Sequence, residues 1–201
     1  MSVADTLDRV LAWPDSACPG RFGARAAHAG VTFAARAALT LIDLRGDPQD
    51  PAFLASARAA LGAGLPLTPN TTAAGANCEV LWLGPDEWLL VGAAPTPVDE
   101  RLPIEHGFLT DVSHGRAGWR ISGPRTLDLL AKGCSLDLHA RVFPVRSCAQ
   151  TALAHVGVLL HRRDAATFEL YCARSYAHHL WHWLTEAAAE FGYAVAAPVE
   201  A

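Results

Sequence analysis

Trp119-Arg120-Ile121-Ser122-Gly123-Pro124-Arg125-Thr126-Leu127-Asp128-Leu129-Leu130-Ala131-Lys132-Gly133 reads as a short strand, a turn and a helix. Residues 119–122 alternate apolar and polar, the two-residue period of a strand. Pro124 suits the first position of a helix, because its φ is preset and its missing N–H is not needed there. Leu127, Leu130 and Ala131 then share one face. Lys132-Gly133 closes the helix with a cation at its negative end and a glycine able to take the left-handed stop conformation.

Working outward, residues 108–112 form a strand before this unit, and 148–153, 156–161 and 167–172 form strands after it. The last long element, 176–191, places Leu180, Leu184, Ala187 and Phe191 on one stripe, with Trp183 beside it. Trp181 falls off that stripe. It is expected to mark a second packing surface, for the other lobe, for another subunit, or for the N-terminal part of the same chain. The order strand–helix–strand–strand–strand–helix resembles a ferredoxin-like split βαβ lobe with an extra strand. Short strands with few helices predict an α+β fold with antiparallel or mixed sheets, and argue against a doubly wound parallel sheet.

Towards the N-terminus, Cys78-Glu79-Val80-Leu81-Trp82-Leu83-Gly84-Pro85-Asp86-Glu87-Trp88-Leu89-Leu90-Val91-Gly92 sets two apolar runs around a proline-bearing turn, the pattern of a hairpin. Residues 31–35 and 39–44 read as strands, and Pro51 opens a helix over 52–61 that Gly62 and Gly64 close. Val3, Leu7, Val10 and Leu11 have helical spacing, ending at Trp13-Pro14. Residues 65–76 form a long loop, a candidate for mobility or partner contact. The proline-rich stretch 93–103 reads as a connection, so residues 1–201 are expected to form one unit of two packed lobes split near 93–107.

The 201 residues are 51% apolar and 18% charged, the latter against about 25% in typical globular chains. That balance excludes intrinsic disorder and fits a chain with more adhesive surface than a free monomer carries. A net charge of −4 gives no electrostatic reason to bind nucleic acid. Lys132 is the sole lysine, so arginine, which tolerates interfaces better, is the main cation. The longest apolar run, 151–160, is too short to cross a membrane, and two acids near the N-terminus oppose a signal peptide. Cys18, Cys78, Cys134, Cys148 and Cys172 form no CxxC pair, so the cytoplasm is the expected compartment.

No GxGxxG or GxxxxGK[ST] loop is present, which argues against a Rossmann dinucleotide site or a P-loop. His178 and His182 have the i, i+4 spacing of two metal ligands, with His179 alongside, but no HExxH acid follows. Solvated or partner-facing histidines are the stronger reading. Asp111, Ser113 and His114 include the residue types of a hydrolase triad, yet lie too close in sequence. A strand-end turn with local backbone bonds is expected instead. Ser122-Gly123-Pro124 offers helix-start amides to an anion, with Arg116, Arg120 and Arg125 as possible reinforcement. Cys134 and Cys148 lie near basic residues but read better as small apolar fillers.

Several segments together resemble the gamma subunit of heterotetrameric sarcosine oxidase: Leu83-Gly84-Pro85-Asp86-Glu87-Trp88-Leu89-Leu90, Asp111-Val112-Ser113-His114-Gly115-Arg116, Ile121-Ser122-Gly123-Pro124, Leu130-Ala131-Lys132-Gly133-Cys134, Ser135-Leu136-Asp137-Leu138-His139, Cys148-Ala149-Gln150-Thr151, His155-Val156-Gly157-Val158-Leu159-Leu160-His161 and Arg174-Ser175-Tyr176-Ala177. They stand in the family's order from Leu81 to Phe191. The resemblance implies a shortened form of the folate-binding aminomethyltransferase fold. It also implies membership of an assembly that oxidatively demethylates sarcosine to glycine with dioxygen and tetrahydrofolate, giving hydrogen peroxide and methylenetetrahydrofolate or formaldehyde. FAD, FMN, NAD and the folate site are implied in the alpha and beta subunits, and zinc in delta. The gamma subunit is implied to be a structural part, so no catalytic, cofactor-binding or metal residue is transferred to this chain. The rival class is a stand-alone folate-binding aminomethyltransferase-like protein, which would need a poised acid, with Asp111 or Glu87 the nearest candidates.

Overall fold

Val80, Trp88 and Leu90 point to one side of the hairpin strands β5 (Cys78–Gly84) and β6 (Glu87–Ala93), and Leu81, Leu83, Leu89 and Val91 point to the other. Both faces are buried, which is why both runs are almost wholly apolar. Pro85 and Asp86 form the tip, and a bulge lies between Trp82 and Gly84. The hairpin is the centre of a five-stranded antiparallel sheet ordered β4 (Thr72–Ala74), β5, β6, β3 (Leu39–Arg45), β7 (Phe108–Asp111). The computed structural model describes residues 18–23, 28–37, 39–93 and 101–199; the N-terminal helix expected over 3–11 lies outside them.

Helix α1 (Pro51–Leu61) starts where Asp50 accepts a 2.8 Å bond from the Ala52 amide, and stops at Gly62, whose φ of 73° is left-handed. Phe53, Ala57 and Leu61 lie on the face it buries against the five-stranded sheet, packed with Trp88 and Leu90. The 65–76 stretch is tied down more than a free loop: Leu65 is buried, the Trp88 indole donates to the Pro66 carbonyl at 2.8 Å, and Thr72–Ala74 pairs with β5. Residues 93–107 connect β6 to β7 within this one sheet.

The second sheet has seven strands, ordered β1 (Gly20–Phe22), β12 (Tyr193–Val195), β2 (Val31–Ala35), β8 (Arg116–Ser122), β11 (Thr167–Ala173), β10 (Val156–Arg162), β9 (Cys148–Leu153). Its pairings are antiparallel except β12 with β2. With α2 (Thr126–Ala131) and α3 (Ala177–Ala188), the C-terminal half has the strand–helix–three-strand–helix order read from the sequence. Strand β2, from the N-terminal part, lies between β8 and β12. One core lies between this sheet and α2 and α3, a second between the five-stranded sheet and α1, and a third between the two sheets.

Two local expectations are corrected and a third is resolved. Helix α2 begins at Thr126, not at Pro124, and buries Thr126, Leu129 and Leu130 while Leu127 and Ala131 are exposed. The cause is the turn before it: Gly123 has φ 123° against the Gly30 carbonyl, and the Arg125 amide donates to that carbonyl at 3.0 Å. Gly133 is not left-handed; it is small because a Cβ there would sit 2.5 Å from Trp183 Cζ2. Lys132 caps a different helix, donating to the Ala187 carbonyl at the C-terminal end of α3 and pairing with Glu190. Finally, of the partners expected for Trp181, the N-terminal part of the same chain is the one it meets. It is 5% exposed and meets Phe33 edge-on, with ring centroids 5.5 Å apart. With Ala177, Leu184 and Ala188 it follows the i, i+4, i+7, i+11 rhythm of the inner stripe, which is broader than Leu180 and Leu184 alone suggest.

Candidate functional site

The charged residues that the fold gathers most tightly lie between the two sheets. Side chains alternate along β11, so Phe168, Leu170 and Cys172 face the helices while Glu169 and Tyr171 face the five-stranded sheet. Register places Arg120 of β8 on one side of Glu169 and His161 of β10 on the other. Arg120 donates to Glu169 Oε1 through Nε at 3.2 Å and Nη2 at 2.8 Å. Arg36, just after β2, brings Nη1 to 3.2 Å from the same oxygen, and the Tyr171 hydroxyl donates to Oε2 at 2.5 Å.

The Glu169 side chain has no exposure, and that of Arg36 has 1%. Burial works to raise the Glu169 pKa, but Arg36, the Tyr171 hydroxyl and Arg120 outweigh it and hold the carboxyl below its usual range. The Tyr171 phenol is driven well above its ordinary value by burial and by the adjacent carboxylate. Glu79, from β5 of the other sheet, pairs with Arg163 and lies 3.4 Å from His161 Nδ1. Burial holds His161 neutral, with its pKa lowered to about 4, so this second contact is not an ion pair. The cluster therefore links the sheets through the Glu79–Arg163 pair, and it sets three guanidiniums against two carboxylates.

The residues singled out in the sequence separate. Arg120 joins Glu169; Arg125 pairs with Asp128 at 3.0 Å and covers the Phe191 ring; Arg116 stands at the start of β8. The expected anion site at Ser122-Gly123-Pro124 is thus not assembled: Arg120 is held by Glu169, Arg125 lies beyond the Gly123 turn on Asp128, and Arg116 stands four residues back along β8. Ser113 bonds Asp111 through its amide at 2.8 Å, and the Leu41 amide donates to Ser113 Oγ at 2.9 Å. His114 is exposed. The expected strand-end turn is what forms.

His178, His179 and His182 are exposed on α3, and His182 Nδ1 lies 3.5 Å from Glu186. Among the described residues no group of three or more potential metal-ligating side chains comes together. Burial raises the thiols of Cys78 and Cys172 to about 11 and that of Cys148 to about 12; Cys134 is buried beside Thr151. The acids a folate-dependent relative would need are engaged elsewhere, Asp111 in its turn and Glu87 with Arg45 at 2.8 Å, so they do not fit a poised folate acid. Sequence reasoning missed Glu169, Tyr171 and Arg36. The available signal was a glutamate inside the apolar run 167–172, which in a buried strand requires cationic partners.

Comparison with known proteins gives one consistent answer. Residues 45–190 match the family model described as sarcosine oxidase, gamma subunit family. The sarcosine oxidase subunit gamma of Corynebacterium sp. (strain U-96) is 36% identical over 174 residues, covering 84% of each chain. Its counterpart from Arthrobacter sp. is 35% identical, covering 76% of this chain and 77% of that one. A chain of the structure of heterotetrameric sarcosine oxidase from Corynebacterium sp. U-96 in complex with pyrrole 2-carboxylate superposes with a TM-score of 0.75 at 34% identity, over 82% of this chain and 86% of that one. The glycine cleavage system aminomethyltransferase T from Bartonella henselae shares the fold at 14% identity, with a TM-score of 0.60 over 85% of this chain and 48% of that one. The expected aminomethyltransferase-like α+β fold is therefore the observed one, and the chain belongs to the sarcosine oxidase gamma subunit family.

Proposed function

We propose that this chain is the gamma subunit of a heterotetrameric sarcosine oxidase and serves it as a structural part, packed against alpha, beta and delta subunits. Family membership over most of the chain carries the reading. The internal chemistry supports it. The buried acid Glu169 is held by Arg36, Arg120 and Tyr171 within the seven-stranded sheet, an arrangement that fits a structural part.

On this reading FAD, FMN, NAD, tetrahydrofolate and zinc belong to the partner subunits, and the chain works in the cytoplasm, where its cysteines stay reduced. The whole of residues 1–201 acts as one unit within the assembly. The test is to purify the chain alone and together with its partners. The lone chain is expected to lack a flavin absorbance band and to leave sarcosine unoxidised, while the assembly oxidises it. Saturable tetrahydrofolate binding by the lone chain, followed by tryptophan fluorescence, would favour the stand-alone aminomethyltransferase-like alternative instead.

A further inference from the structure

The seven-stranded sheet extends further than the sheet that covers it. On their shared face, Tyr171 and Leu159 lie under Leu41, Leu81 and Leu89. Two residues further along β8, β11 and β10 stand Arg116, Ala173 and Gly157, and there a recess of about 430 Å³ opens, walled by Gln150 and Thr151 of β9. Arg116 is half-buried in it. Arg36, Arg120 and Arg163 all face carboxylates, but Arg116 has no hydrogen bond or ion pair from its side chain among the described residues. Among the described residues no acid lines the recess. A half-buried arginine lacking a counter-charge is completed by a carboxylate, which its guanidinium can grip at two points. Tyr176, three residues beyond Ala173, is 52% exposed, and arginine with tyrosine is the pairing enriched at the energetic centre of protein interfaces.

We infer that this recess is a socket for a partner subunit of the oxidase, receiving a projecting segment whose aspartate or glutamate pairs with Arg116. The inference rests on the gamma-subunit reading. The floor supplies a clean test, because a Cβ at Gly157 meets no atom within 4 Å and the backbone there is ordinary strand, so a side chain fills the socket without disturbing the chain. Gly64 is equally open and lies outside the socket, and serves as the control.

The experiment co-expresses differently tagged wild-type and variant copies with the other three subunits and measures the ratio of copies in the purified assembly by mass spectrometry. Gly157→Leu and Arg116→Ala are expected to be depleted at least about tenfold, while Gly64→Leu competes equally and all three unfold thermally like wild type. Equal incorporation of Gly157→Leu and Arg116→Ala overturns the socket and leaves the gamma reading standing. Wild type failing to enter any assembly overturns both. Equal incorporation together with Arg116-dependent binding of free acetate or glycine would assign the recess to a small carboxylate, against this inference.

Discussion

Arg120 Nη2 lies 2.8 Å from Glu169 Oε1, directly across the β8–β11 ladder, where the carboxylate is fully buried and the arginine side chain is 29% exposed. Arg36 shares that oxygen at 3.2 Å and Tyr171 takes the other, so one carboxylate anchors residues from three parts of the chain. Replacing the whole cluster by well-packed apolar groups could be neutral, whereas removing one member strands the others. Glu169→Ala is expected to cost about 3–5 kcal/mol, since it leaves a buried Arg36 without its counter-charge. Tyr171→Phe is expected to cost about 1.5–3 kcal/mol, the range for a bond to a charged group. Urea denaturation followed by tryptophan fluorescence checks both; equal, small losses would mean that the cluster is solvated.

His161 makes stability depend on pH in a definite direction. Its pKa falls to about 4 in the fold from an ordinary value of about 6.5, through burial. Between those values the unfolded chain binds a proton that the folded chain refuses, so stability is complete above about pH 6.5 and declines as pH falls to about 4. The loss from this residue is about 3 kcal/mol. His161→Gln is expected to flatten that part of the curve, measured as denaturation midpoints from pH 7 to pH 4.

Trp181 fills the space between α3 and β2, against Phe33. Trp181→Ala is expected to lower stability by about 3–5 kcal/mol through the cavity it leaves. Calorimetry of the isolated chain measures it. A change in subunit association with unaltered stability would instead place the indole at an interface.

Gly133 faces Trp183 so closely that any Cβ must displace the ring or the helix end. Gly133→Ala is expected to cost about 1–3 kcal/mol, the usual penalty for overpacking. Denaturant midpoints decide the sign.

Much of the fold was legible locally. The 78–92 hairpin, the Pro51 helix start with its Gly62 stop, and the C-terminal strand and helix order all follow from period and cap signals. What local pattern cannot supply is pairing between distant segments. Nothing in residues 31–35 announces that β2 lies between β8 and β12, or that Phe33 waits for Trp181. The same limit hid the site: Arg36, Arg120 and Glu169 meet only because three distant strands align in register. Gly133 looked like a helix stop because a stop and a close approach both call for a missing side chain.

Native mass spectrometry of the tagged chain co-expressed with the other three oxidase subunits tests the central claim most directly. One copy of this chain in a four-subunit particle, with flavin mass and sarcosine oxidation confined to that particle, is the predicted result. A lone chain that carries its own flavin and oxidises sarcosine, or that never joins the particle, would contradict it.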